Sequence, residues 1–154
     1  MSAIFFPRDE YFMRLALREA ERALDHDDVP VGCVIAHEGE VIAAAPNERE
    51  LRGDPTAHCE ILALREAARA LGHWRLSGTV MYVTLEPCAM CAGAVVLARV
   101  QRVVYGAEDP KAGAAGSVLN LLAEPQLNHR PEVAGGLLAG ESSALLRQFF
   151  ALRR

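Results

Sequence analysis

A strand, an apolar helix and a second strand follow one another directly between residues 79 and 106, and this segment limits the possible fold more than any other. The first stretch, TVMYVTLEP, is rich in β-forming residues and ends at a proline. The next, CAMCAGAVVLARV, is apolar around nearly its whole circumference, which is typical of a helix buried on most faces. RVVYG then predicts another short strand. Strand, helix and strand in this order indicate an α/β fold.

The remaining segments extend this pattern. Residues from Arg8 to about Asp27 predict an amphipathic helix, and the next two apolar runs predict a β-hairpin that turns between His37 and Glu40. A loop follows the hairpin, and Asp54, Pro55 and Thr56 suit the start of a helix that ends at Gly72. The C-terminal part predicts, in order, a short helix in SVLNLLAEP, a weak strand in EVAGGLL and a terminal helix in ESSALLRQFFALRR. We therefore expect one domain, residues 1–154, with a central mixed five-stranded sheet between helices in a three-layer α/β/α arrangement.

Composition excludes several classes of protein. The formal net charge is −4, so nucleic-acid binding would have to use a local basic patch rather than the field of the whole molecule. The chain shows neither a long apolar run nor a basic, apolar leader, and we expect a cytoplasmic protein without a membrane segment. In such a compartment the four cysteines indicate buried thiols or metal ligands rather than disulfides.

Cys88 and Cys91 are the first candidate metal ligands. They are three residues apart at the start of the helix that begins at Pro87, so their side chains share one face. The positive end of the helix favours the thiolate form, which binds metals. A C-x-x-C pair on its own fits equally well with two small buried residues or with a redox-active pair.

His58 and Glu60 extend the pair to a possible catalytic site. One imidazole and two thiolates are a typical set of three zinc ligands, and such a set leaves the fourth position of a single Zn²⁺ open for water. Glu60 lies two residues from His58, where a helix starts and both side chains can enter one pocket, so it is the candidate general acid and base. The alternatives are an ordinary polar first turn, or a closed zinc site in a non-catalytic binding module with Cys59 as fourth ligand.

Together, HCE and PCAMC resemble the H-x-E…P-C-x-x-C signature of zinc-dependent nucleoside and nucleobase deaminases. DVPVGCVI, DPTAHCEILALREA, YVTLEPCAMCAGA and RVVYGAEDPKAGAAGS extend the resemblance to bacterial tRNA adenosine deaminases over nearly the whole chain. The resemblance implies a cytidine-deaminase-like fold, a homodimer, and conversion of adenosine to inosine at the wobble position of a tRNA anticodon stem-loop. Cys59 and Pro46 depart from the family, which usually has alanine and a bulkier residue there.

The substrate-binding candidates are spread along the chain. The resemblance implies that Asn47 contacts the edge of the base, although an asparagine in a turn is the simpler explanation. For RNA we consider Lys111 and the last helix, whose cations and aromatic rings are Arg147, Phe149, Phe150, Arg153 and Arg154. At least one of the two phenylalanines is expected in the core. A deaminase of free guanine, cytosine or a nucleoside would keep the same zinc site, and the acidic net charge favours that alternative.

Overall fold

Five strands form one mixed sheet in the computed structural model, which describes residues 3–153. They are β1 (Gly32–His37), β2 (Glu40–Pro46), β3 (Thr79–Leu85), β4 (Arg102–Ala107) and β5 (Glu132–Gly135), and they lie in the order β2-β1-β3-β4-β5. β1 is antiparallel to β2 and β3, whereas β3, β4 and β5 are parallel. The predicted mixed five-stranded sheet is confirmed.

Five α-helices accompany the sheet: α1 (Asp9–Ala23), α2 (Arg49–Arg52), α3 (Cys59–Leu71), α4 (Ala89–Ala98) and α5 (Ala139–Ala151). A short 3₁₀ turn, Leu24–His26, continues α1. α1 packs against β1, β2 and β3, α3 packs against β1 and β2 and contacts α4, and α5 packs against β4 and β3. Helices thus cover the sheet in an α/β fold, as the element order predicts.

The side chains of β1 show how the two faces are separated. Cys33 and Ile35 belong to one buried cluster, together with residues of α3 and α4. Val34 and Ala36 belong to a second cluster, with Phe12 of α1. Because successive side chains of a strand point to opposite faces, this alternation fixes the register of β1 within the sheet.

Two segments differ from the prediction. α3 begins at Cys59 rather than at residues 54–56, because Asp54 accepts hydrogen bonds from the backbone and hydroxyl of Thr56 and closes a local turn there. The predicted helix in SVLNLLAEP is only a 3₁₀ turn, Leu121–Ala123. In a helix that begins at Ser117, the N–H of Leu121 would donate to the carbonyl of Ser117. It donates instead to the carbonyl of Ala114 at 2.9 Å, so the preceding loop takes the first donor that the helix would need.

The hairpin matches its prediction. Glu38 and Gly39 connect β1 to β2, and both have positive φ, 53° and 80°. Two such residues form the type of tight turn whose twist suits a two-residue hairpin.

No helix between residues 3 and 153 is long and apolar enough to cross a bilayer.

The strand directions place three chain segments together. β2, β3 and β4 all run the same way, because β1 is antiparallel to both of its neighbours and β4 is parallel to β3. Their carboxyl ends therefore meet at one edge of the sheet. Asn47 follows β2 there, the turn from Glu86 to Cys88 follows β3, and Asp109 lies just beyond β4.

Candidate functional site

Three metal-capable side chains meet beside this edge. His58 immediately precedes α3, Cys88 immediately precedes α4, and Cys91 lies in the first turn of α4. His58 Nδ1 is 3.6 Å from Cys88 Sγ and 3.5 Å from Cys91 Sγ. Their ligand atoms all lie within 4.8 Å of one another and could hold a metal ion. Within residues 3–153 these three form the one such group, and its donor set of one nitrogen and two sulfurs suits zinc.

The N-caps of both helices are occupied by residues of this group. His58 and Cys88 have extended backbones, with ψ of 147° and 176°, and neither side chain caps its own helix. For α3, the side-chain oxygen of Asn47 accepts the N–H of Cys59 at 2.8 Å. A residue 12 positions away therefore does the capping, which leaves the His58 imidazole free to face the two cysteines.

The protonation of the two cysteines is coupled. A hydrogen bond with the Cys91 side chain, only partly opposed by burial, lowers the pKa of Cys88 to about 3. The same bond, together with burial, raises the pKa of Cys91. The pKa of His58 is raised mainly by its hydrogen bond with Cys88. The lowered pKa favours the thiolate form of Cys88, and this is the form in which a cysteine binds a metal.

Glu60 lies next to the group but is not part of it. Its side chain is 4% exposed, and burial raises its pKa. Cys59, fully buried, donates its thiol to Glu60 Oε1 at 3.1 Å. Burial also raises the pKa of Cys59. What separates Cys59 from Cys91 is position, because the group of ligand atoms that lie within 4.8 Å of one another contains Cys91 and does not contain Cys59. The described residues thus offer no support for Cys59 as a fourth ligand.

A cavity of about 160 Å³ opens onto these residues. Its lining combines apolar walls with polar groups, namely Val29, Val31, Asn47, Arg49, His58, Glu60, Leu85, Glu86, Cys88, Asp109 and Ala112. Sequence reasoning missed Arg49, Glu86 and Asp109. The available signals were a carboxylate directly before the Pro-Cys pair and charged residues in the loops that follow β2 and β4.

Asn47 is held firmly at the wall of this cavity. Besides capping α3, its side-chain N–H₂ donates to the carbonyl of Val29 at 3.1 Å, and it is 8% exposed. An amide group of this kind has one further N–H available. The structure therefore gives Asn47 a structural task, and a contact with the base stays a prediction.

The candidate RNA contacts fall in two places. Lys111 is exposed in the loop after β4, between Asp109 and Ala112 of the cavity wall. Phe149 on α5 is 6% exposed, whereas the neighbouring Phe150 is 49% exposed. Arg153 lies 3.5 Å above the Phe149 ring and pairs with Asp27. Phe149 is thus the phenylalanine expected in the core, and Arg154 lies outside the described residues.

Comparison with known proteins identifies the family. The family model of the MafB19-like deaminases matches residues 7–154. The tRNA-specific adenosine deaminase of Bacillus subtilis is 50% identical over 143 residues, which are 93% of this chain and 89% of that protein. That of Aquifex aeolicus is also 50% identical, over 92% of this chain and 93% of its own. The chain belongs to the deaminase family.

Solved structures of this deaminase family share the fold. One, from a study of A-to-I editing by tRNA:A34 deaminases at the wobble position of transfer RNA, superposes with a TM-score of 0.85 at 47% identity, over 88% of this chain and 99% of that one. The guanine deaminase of Nitrosomonas europaea superposes with a TM-score of 0.77 at 26% identity, over 97% and 87%. The predicted cytidine-deaminase-like fold is confirmed, and deamination of a nucleobase is common to both neighbours.

Proposed function

We propose that this chain is a tRNA-specific adenosine deaminase, which hydrolyses adenosine to inosine and ammonia at the wobble position of a tRNA anticodon. The observation that carries the proposal is the meeting of His58, Cys88 and Cys91 within 4.8 Å beside a cavity that also contains Glu60. The choice of tRNA over a free base is supported by the 50% identity to tRNA-specific enzymes, against 26% to a guanine deaminase.

The three ligand residues would hold one zinc ion per chain. Their donor set, and the lowered pKa of Cys88, fit this metal. A zinc ion held by these three residues alone would keep one of four ligand positions available for water. When bound, zinc would supply Lewis acidity that makes a water molecule a stronger acid near neutral pH.

Glu60 would move the protons of the reaction. Its buried carboxyl group has a raised pKa, so it accepts a proton more readily than an exposed glutamate does. It would take one proton from water as the water oxygen bonds to C6 of adenine, and pass that proton to the ring nitrogen. It would then move the second proton from the new C6 hydroxyl to the amino group, which leaves as ammonia when the C6–N bond breaks. Adenosine and water are thus converted to inosine and ammonia with no other reactant.

The cavity would accept one flipped-out base. Val29, Val31 and Leu85 offer apolar surface for the ring, and the free N–H of Asn47 would donate to its edge. A cavity of about 160 Å³ has no room for a folded RNA, so the rest of the anticodon loop must lie on the surface around it.

That surface includes the loop after β4 and the C-terminal part of α5. Arg147 and Phe150 line a groove with Glu108 and Pro110, next to Lys111. We propose that Lys111 and Arg147 contact phosphate and that a base stacks on Phe150. Arg153 would contact phosphate only after releasing its ion-pair partner Asp27. Phe149 would contribute indirectly, because the Arg153 guanidinium lies over its ring.

The chain would act as a homodimer. Between α3 and α4 lies an almost wholly apolar groove lined by Ile61, Leu64, Ala68, Trp74 and Leu97, among others. Leu97 is 71% exposed and Trp74 is 58% exposed, which is unfavourable for a monomer in water. We propose that a second copy of the chain covers this groove.

We also propose that the chain forms a single domain and that the protein is cytoplasmic.

The test compares three substrates. The protein is mixed separately with an anticodon stem-loop, free guanine and free cytosine, and inosine, xanthine and uracil are measured, with Glu60→Gln as the inactive control. We expect inosine from the stem-loop and no product from either free base. Binding of the stem-loop should weaken as the salt concentration rises. Xanthine or uracil without inosine would assign the site to a free base and contradict the proposal.

A further inference from the structure

A second carboxylate borders the cavity, and the proposed chemistry does not use it. Glu86 follows β3 and is 2% exposed. Within residues 3–153 it forms no ion pair with lysine or arginine. A buried carboxylate without a cation is unfavourable unless hydrogen-bond donors surround it. The donors around Glu86 therefore indicate its task.

All of these donors come from one loop. Oε1 accepts the N–H of Asp109 at 3.0 Å and the hydroxyl of Ser117, and Oε2 accepts the N–H groups of Ala115 and Ser117 at 2.9 and 3.1 Å. Four bonds fill the acceptor positions of a carboxylate. Glu86 thus has no free position for a proton or a substrate group, which distinguishes it from Glu60.

Backbone contacts extend the attachment to the metal ligands. The N–H of Ala114 donates to the carbonyl of Pro87 at 2.8 Å, and Gly113 pairs with Cys88 in a β-bridge. The loop from Asp109 to Ser117 is consequently bound to the turn that carries Cys88.

Gly113 shows how closely the loop encloses the carboxylate. A Cβ atom added there would lie 2.4 Å from the carboxyl carbon of Glu86. Gly113 does not have a positive φ, so backbone freedom is not the reason for glycine. The reason is space: a side chain at this position would displace either Glu86 or the loop.

This loop forms one wall of the cavity. Asp109 and Ala112 line the cavity, and Lys111 is exposed between them. We propose that Glu86 is a positioning residue, which gathers the loop from Asp109 to Ser117 and fixes this wall at the correct distance from the ligand turn. The inference rests on the proposed function, because the substrate held by the wall is the adenosine of an RNA loop.

Two variants weaken the attachment by different amounts. Glu86→Gln replaces an acceptor oxygen by an N–H₂ group that faces N–H donors, and Ser117→Ala removes one donor and leaves the carboxylate in place. We expect the KM for an anticodon stem-loop to rise about tenfold in Glu86→Gln and less in Ser117→Ala, because a hydrogen bond to a charged group is lost. The fall in kcat should be smaller than the rise in KM, with zinc content close to one per chain.

Gly113→Ala tests the same contact from the loop side. We expect it to raise KM as Glu86→Gln does, since the added methyl group pushes the loop away from the carboxylate. Gly140→Ala is the matched control, because a Cβ there meets nothing within 4 Å and Gly140 lies at the exposed start of α5. It should leave KM unchanged.

Amide hydrogen exchange reports the arrangement without a substrate. In Glu86→Gln and Ser117→Ala, the amides of residues 109–117 should exchange about ten times faster, while those of β3 stay protected. If Glu86→Gln does not fold, Ser117→Ala and Gly113→Ala give the answer.

The possible failures can be told apart. Unchanged KM and unchanged exchange in the variants would overturn the positioning role, as would loss of zinc in parallel with activity. If the unmodified protein makes no inosine from the stem-loop, the proposed function fails, and the exchange data still decide whether Glu86 holds the loop.

Discussion

The carboxyl group of Glu60, to which we assign the proton transfers, is buried and accepts a hydrogen bond from the thiol of Cys59. Glu60→Ala should keep close to one zinc per chain, because the ligand group does not include Glu60. Turnover should fall by roughly 10²- to 10⁴-fold, the usual loss for a general acid and base. Metal analysis and single-turnover kinetics on the same preparation check both points.

Cys88→Ala is the contrasting control for this prediction. It removes one of the two sulfur ligands of the group, so metal and activity should be lost together. Loss of metal in Glu60→Ala as well would make Glu60 a ligand and contradict its proposed role.

From the sequence it was possible to predict that the side chains of His58, Cys88 and Cys91 meet, but not which residues hold them in place. The residue types and spacing of His58, Cys88 and Cys91 match a typical set of three zinc ligands, so the sequence alone identifies them as candidates. The cap from Asn47 to Cys59 joins residues 12 positions apart, and the bond from Ser117 to Glu86 joins residues 31 apart. Such contacts depend on which loops the sheet brings together, and no local pattern in the sequence predicts them.

α5 presents two adjacent aromatic rings that differ in exposure. Phe150 is exposed beside Arg147, so Phe150→Ala should raise the KM for a stem-loop several-fold by removing a stacking surface, since such stacking is worth about 1–3 kcal/mol. Its melting temperature should hardly change. Kinetics at several salt concentrations, together with thermal denaturation, measure both effects.

Phe149→Ala is the partner variant for this comparison. Because Phe149 is buried, the variant should lose about 3 kcal/mol of unfolding free energy. Equal effects of the two variants on KM and on stability would show that α5 does not divide these tasks between its two phenylalanines.

α4 is apolar around its circumference, yet part of it faces solvent in the single chain. Leu97→Glu would place a charge in the apolar groove between α3 and α4. We expect the unmodified protein to scatter light as a particle of twice its 16.7 kDa and the variant to scatter as a monomer.

Leu152→Glu is the matched control for the dimer, since Leu152 is 83% exposed and lies outside this groove. It should leave the mass unchanged. A monomeric unmodified protein would contradict the proposed dimer.

At the scale of elements, periodicity predicted the long helices and strands but not the shorter pieces. The four-residue helix α2 fell within a predicted loop, and its start is fixed by Asp28, which accepts the N–H groups of Glu50 and Leu51. Asp28 is more than 20 residues away along the chain. Because α2 has only four residues and depends on a distant acceptor, its own sequence pattern is too short to predict a helix.

One buried ion pair connects the N-terminal helix to the sheet. Both oxygens of Asp9 accept N–H groups of Arg102 at 2.8 Å, and the hydroxyl of Tyr82 donates to Oδ1. Burial alone would raise the pKa of Asp9, but these bonds outweigh it and lower the pKa from 3.8. Since the folded state favours the carboxylate, this stabilisation is present above pH 3.8 and is lost as the pH falls through the lower folded-state pKa.

Asp9→Asn should therefore lower the unfolding free energy near neutral pH by about 3 kcal/mol, as expected when one partner of a buried pair is removed. The difference from the unmodified protein should stay constant down to about pH 5 and shrink below about pH 4. Urea unfolding across this range measures it. A difference that does not depend on pH would show that Asp9 acts by packing alone.

The ligand residues also lie on two sides of an exposed turn. His58 belongs to the chain before Gly72, both cysteines come after Gly78, and His73 and Trp74 between them are exposed. A chain cut between His73 and Trp74 would divide the ligands into two fragments that must pair β1 with β3 to meet again. Neither fragment alone would carry the full set, so metal retained by the mixture would measure the reassembly of a split protein.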